Sequence, residues 1–198
     1  MTPRRLRTFL EFSRLYDQMN PASPGKARPD TLFWRFLVAT GATTQNEGCR
    51  FRIRHLDLDR ESDGMVPVYI HGTKSPHRPR EVPIPAALAR ELVARANELG
   101  IGEDGLLFPF SHDQYLAAWK GVLKLIERHK PEGWQRLIKH RPYDMRHTFA
   151  VIAIRSGVDI LQLQQLMGHS SIETTRMYAR HLKPPRRALR RMAAKLGI

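Results

Sequence analysis

Three side chains in the last third of the chain, Arg146, His169 and Tyr178, have types and an order that could do chemistry on a phosphodiester. An arginine presents a permanently charged fork of N–H donors to phosphate oxygens. A histidine adds a further donor, and a phenol relieved of its proton is a nucleophile that can hold a phosphoryl group covalently. The three fall on three consecutive predicted helices within Pro142–Leu182, PYDMRHTFAVIAIRSGVDILQLQQLMGHSSIETTRMYARHL. Taken singly, each has an ordinary reading. A tyrosine late in an amphipathic helix packs its ring and leaves its hydroxyl in water. A histidine after Gly168 caps a helix end, and an arginine in a first helical turn is a surface charge. With a pKa of ~10, the phenol also needs neighbouring cations before it can attack.

The elements that must position these groups follow from periodicity and punctuation. Residues 1–19 read as a helix with Leu6, Phe9, Leu10 and Leu15 near helical spacing, broken by the Pro- and Gly-rich NPASPGKARP at 20–29. Asp30 is an N-cap for LFWRFLVATG, which stops at Gly41. A hairpin is predicted from MVPVYI (65–70) and EVPI (81–84), with Pro67 and Pro83 marking edge strands of a small, three-stranded sheet. Two amphipathic helices follow, 85–100 and 111–129. Asp144 is placed to cap a helix that stops at Gly157, and a short helix runs from Asp159 to Met167. Ser170-Ser171-Ile172-Glu173 reads as a capping box opening the helix that carries Tyr178. After Lys183-Pro184-Pro185, RRALRRMAAKLG forms a last basic helix with Leu189, Met192, Ala193 and Leu196 on one side. The fold class is mainly α with a small antiparallel β-sheet.

Composition narrows the partners. The chain has 198 residues, enough for one well-cored domain, and no apolar run long enough for a membrane span. Cys49 is the only cysteine, which excludes an internal disulfide and a multi-cysteine zinc site and suits a cytoplasmic setting. Lys and Arg number 33 against 19 Asp and Glu, a net charge of +14 that points to a polyanion such as nucleic acid.

The PYDMRHTFA and LMGHSSIETTRMY segments resemble the C-terminal motifs of the tyrosine recombinases, the phage integrases and Xer-type recombinases. The resemblance implies their catalytic-domain fold and a site-specific DNA recombinase. Tyr178 would be the nucleophile of a 3′-phosphotyrosyl intermediate, formed without metal, nucleotide or other cofactor. It also implies that Arg146 is the family's second catalytic arginine and that His169 is the third-box donor to a non-bridging oxygen. Lys74, in the hairpin loop, matches the mobile lysine that protonates the 5′-oxygen, with Arg78 and Arg80 as competitors for that part. The expected partners are double-stranded DNA and further copies of the chain in a tetramer, with the C-terminal helix docked on a neighbour or folded back. Residues 1–198 are expected to form one catalytic-type domain, 1–29 being N-terminal helix and linker and 183–198 the C-terminal helix. The family's N-terminal core-binding domain is expected to be absent or supplied by another chain.

The match departs from the family at two places. Tyr143 stands where the second box usually opens with His or Lys; a phenol can donate a hydrogen bond to phosphate but is a poor base. In the first box, TGxRxxE, Thr40-Gly41 and Glu47 fit, yet either register puts Thr43 or Thr44 where the arginine belongs. Loss of a comparable donor costs roughly 10²–10³ in rate. Three functions follow: the recombinase, a catalytically impaired relative that binds DNA or regulates, and a basic nucleic-acid binder whose resemblance is accidental.

Overall fold

The computed structural model describes residues 1–22, 27–72 and 75–182, and beyond these only Arg190 and Ala194. Lys74 and all of the C-terminal helix but those two residues lie outside the described part. Eight helices are described: α1 (Pro3–Met19), α2 (Thr31–Thr40), α3 (Ala86–Glu98), α4 (His112–His129), α5 (Trp134–Leu137), α6 (Asp144–Ser156), α7 (Ile160–Met167) and α8 (Ile172–Arg176). Two antiparallel strands, β1 (Met65–Gly72) and β2 (Ser75–Pro85), complete the framework. Among the described residues no helix is long and apolar enough to cross a membrane.

Helix α2 is the axis of the fold. Asp30 caps it by accepting from the Phe33 N–H at 3.1 Å, and Leu32, Phe33, Trp34, Phe36 and Leu37 are all buried. A helix apolar on every side belongs in a core, and here α1, α3 and α6 pack around it. The Phe9 ring of α1 lies 4.3 Å from Trp119 of α4, and Phe33 and Phe36 meet Phe108 and Phe51. Gly41 ends α2 with φ of 64°, a left-handed conformation that suits glycine. A Cβ there would lie 2.5 Å from the Phe149 ring, so the missing side chain also lets α6 come close.

The sheet has two strands, not the three expected. Residues 48–60 make three short 3-10 turns and pair with the β1 backbone in a single bridge, Leu56 to Val68. The Asp57 N–H donates to the Pro67 carbonyl at 3.0 Å. Proline has no N–H to return the bond on that side, so the ladder stops after one rung. Helix α5 was not foreseen.

Two helix starts also differ from expectation. Asp144 is the first helical residue of α6; its Oδ2 accepts from the Arg141 N–H at 2.9 Å and faces His140 Nδ1 at 3.0 Å. Ser171, not Ser170, caps α8 by accepting from the Glu173 N–H at 3.2 Å. Helix α8 ends at Arg176, so Tyr178 opens a 3-10 turn (Ala179–His181) instead of riding on a helix.

Candidate active site

The Tyr178 ring is packed with Ala150, Ile154, Leu163 and Met167 in a small second core between α6 and α7, and the residue is 3% exposed. Its hydroxyl lies 2.6 Å from Nδ1 of His147, the residue next to Arg146 on α6. Burial raises the phenol's pKa, and the Arg146 charge opposes that rise. Burial lowers the pKa of His147, while Asp144 pulls it back up and the Met1 amine and Arg146 push it down.

Arg146 is 6% exposed. Its Nη1 donates to the Gly41 carbonyl at 2.6 Å and its Nη2 to the Met167 carbonyl, which joins the ends of α2 and α7 to α6. His169 follows directly after the Gly168 cap of α7, and its Nδ1 lies 2.8 Å from Thr175 Oγ1 on α8. Burial, with help from Arg146 and Arg80, holds its pKa down at about 4, so the imidazole is neutral at pH 7. A continuous run of contacts therefore links Arg146, the Met167–His169 corner, α8, Tyr178 and His147. The structure brings Arg146, His169 and Tyr178 together. Tyr143 sits at the edge, half exposed, with its ring 5.2 Å from that of His147.

His147 is the residue at this site that the sequence did not single out; Glu47 of the first box and Arg80, named above as a competitor of Lys74, also belong to it. The Glu47 side chain is 8% exposed and accepts both Nη groups of Arg80, the Nη2 contact being 3.1 Å. It also accepts the Thr43 N–H at 2.7 Å and lies 3.5 Å from Arg146 Nη1. Burial alone would raise its pKa; the Arg80 bond and charge, the Thr43 amide and Arg146 together hold it below the ordinary value. Arg80 reaches in from β2, and its Nε donates to the Leu166 carbonyl at 2.8 Å. Arg52 and Arg54 bond to Asp104 instead. Where the first-box arginine is missing, the guanidinium beside Glu47 is thus that of Arg80. Thr43 and Thr44 line a cavity of about 600 Å³ that reaches Tyr143. Among the described residues no group of three or more His, Cys, Asp or Glu side chains could hold a metal ion.

Comparison with known proteins decides the lineage. Residues 6–184 match the phage integrase family. The chain belongs to that family. This phage integrase family member is 29% identical over 158 residues to the tyrosine recombinase XerA of Thermococcus kodakarensis, covering 79% of this chain and 52% of the relative. The XerA of Saccharolobus solfataricus is 45% identical over 153 residues, 77% of this chain and 46% of the relative. The chain spans about half the length of these recombinases. Its fold is similar to the catalytic domain of bacteriophage HP1 integrase, with a TM-score of 0.61 at 23% identity, covering 98% of this chain and 92% of that domain.

Proposed function

We propose that this integrase family member is a site-specific recombinase that cleaves and rejoins double-stranded DNA through a 3′-phosphotyrosyl intermediate on Tyr178. The observation that carries the reading is the contact between Tyr178 and α6. The phenol sits against His147, one residue from the buried guanidinium of Arg146, and His169 closes the same corner. Arg146 and His169 bind the non-bridging oxygens of the scissile phosphate, Tyr143 donates a further hydrogen bond from the rim, and Lys74 protonates the departing 5′-oxygen. The +14 charge supplies the sequence-independent part of DNA affinity. Residues 1–198 act as a catalytic-type domain and assemble as a tetramer on DNA, in keeping with the family.

The test is trapping on a nicked suicide substrate, in which loss of a short 5′-OH fragment makes cleavage irreversible. A protein–DNA adduct should form with the wild type and vanish with Tyr178→Phe, while DNA affinity stays within about twofold because the ring and the basic surface persist. An adduct formed by Tyr178→Phe would place the nucleophile elsewhere. The second reading, a DNA-binding relative that has lost its chemistry, is favoured by Thr43 and Thr44 in the first box. It predicts DNA binding by the wild type and no trapped adduct.

A further inference from the structure

We propose that His147 is the catalytic base of this site and takes the Tyr178 proton during cleavage, the part that Tyr143 cannot play. The inference rests on the proposed role of Tyr178 as nucleophile. A general base must lie within about 2.6–3.2 Å of the proton it removes, and His147 Nδ1 lies 2.6 Å from Tyr178 Oη. Tyr143, in the position where the family's second box usually opens with His or Lys, is a phenol with no capacity to accept a proton near pH 7. The only side-chain hydrogen bond described for the Tyr178 hydroxyl is the one to His147.

The charged and titratable groups around the imidazole are Tyr143 just before α6, Asp144 and Arg146 on α6, the Met1 amine, His169 after α7, and Tyr178 itself. Burial first, with the Met1 amine and Arg146 outweighing the opposing pull of Asp144, holds the His147 pKa below the ordinary imidazole value, which favours the neutral ring. With the proton on Nε2, its Nδ1 lone pair faces the phenol. As phosphate enters, Oη forms a bond to phosphorus and its proton passes to His147 Nδ1, while the bond from phosphorus to the 5′-oxygen breaks. That oxygen leaves with a proton from the general acid. In the rejoining step the incoming 5′-hydroxyl attacks phosphorus and gives its proton back to the general acid, and Tyr178 leaves with the proton returned by His147. Protons and bonds balance without an oxidant or a metal.

The experiment compares wild type, His147→Ala, His147→Asn and Tyr178→Phe in adduct formation from pH 5 to 10. The substrates are a nicked suicide duplex and its counterpart with sulfur in place of the bridging 5′-oxygen, whose thiolate leaves without a general acid. Should Thr43 and Thr44 leave the wild type too slow to follow, the series is run in the Thr44→Arg background. Both His147 variants should cleave at least about 100-fold more slowly at pH 7 on both substrates, since a positioned base is worth roughly 10²–10⁴. Their rates should climb about tenfold per pH unit as the phenol ionises by itself. The wild type should instead lose rate below the His147 pKa. Asparagine places an oxygen where Nδ1 was, so it keeps the hydrogen bond and loses only the proton acceptor. If His147→Asn cleaves like the wild type, the imidazole merely positions Tyr178 and the proposal is overturned.

Nitrogen-15 spectra of the histidines give a readout independent of turnover. His147 should be the Nε2–H tautomer at pH 7, with an Nδ1 shift that moves in Tyr178→Phe. An Nδ1–H tautomer that donates to Tyr178 also overturns the proposal. An adduct on Tyr178→Phe is a separate failure, that of the nucleophile assignment.

Discussion

Replacing Glu47 with glutamine should be among the most destabilising single changes this chain can suffer at a polar position. The Glu47 side chain is 8% exposed, takes both Nη groups of Arg80, accepts the Thr43 amide and lies 3.5 Å from Arg146. The side chains of Arg80 and Arg146 are themselves 10% and 7% exposed. Glutamine has nearly the same shape but no charge, and its NH₂ presents donors to a guanidinium that offers only donors. Two buried cations are then left without a counter-charge, a loss of about 3–5 kcal/mol by the usual cost of breaking a buried ion pair from one side. For a chain of this size that lowers Tm by about 6–20 °C. Thermal and urea unfolding of Glu47→Gln against the wild type measure it. The acid limb checks the cause. Glu47 has a folded pKa below its unfolded value of about 4.3, so its stabilisation is complete above that pH and lost as pH falls through the folded pKa. The gap between wild type and variant should narrow below about pH 4.3. A difference under about 1 kcal/mol at pH 7, in the range of a surface pair, would refute the buried-cluster argument.

Arg146→Ala should lose both fold stability and DNA cleavage, because it leaves the Gly41 and Met167 carbonyls without their donor; about 2–4 kcal/mol in urea unfolding is expected. Thr44→Arg or Thr43→Arg should raise the rate of adduct formation, roughly 10²-fold by analogy with lost oxyanion donors, and the cavity that both threonines line gives the new side chain room. Equal cleavage by wild type and both variants would show that another cation already supplies the charge. Removal of residues 184–198 should impair assembly on DNA more than binding of one copy, measured by sedimentation at salt adjusted for the lost basic residues.

Much of the fold could be read locally because caps and periodicity are short-range chemistry. Asp30, Ser111 and Asp159 each accept from an amide two or three residues on, and Gly41, Gly157 and Gly168 end their helices in the left-handed region. The order Arg146, His169, Tyr178 was equally legible, since α6, α7 and α8 follow one another in the chain. What could not be read depends on partners far apart in sequence. Arg80 and Glu47 are 33 residues apart, and His147 and Tyr178 are 31 apart. Nothing in their immediate neighbours marks either pair, although Glu47 three residues after a threonine in place of the arginine was a hint that its partner must come from elsewhere. The third strand failed on one atom, the N–H that Pro67 lacks.

The arrangement of Arg146 bears on how a buried residue would serve in the proposed reaction. A guanidinium has five N–H donors. One Nη1 proton and one Nη2 proton go to the Gly41 and Met167 carbonyls, and Glu47 lies at 3.5 Å as a counter-charge. At least two donors on the same planar group then have no bond among the described contacts, enough for a bidentate grip on one phosphate edge. The bonds to α2 and α7 fix the plane of the group, so its remaining donors need no ordering when a phosphate arrives, and ordering is a large part of what a mobile surface arginine must overcome. The same reasoning explains why Glu47 lies slightly off Arg146 and close on Arg80. A carboxylate in full bidentate contact with Arg146 would occupy the edge that phosphate needs. Held by Arg80 and the Thr43 amide instead, it offsets the burial of the Arg146 charge without taking up that group's remaining donors.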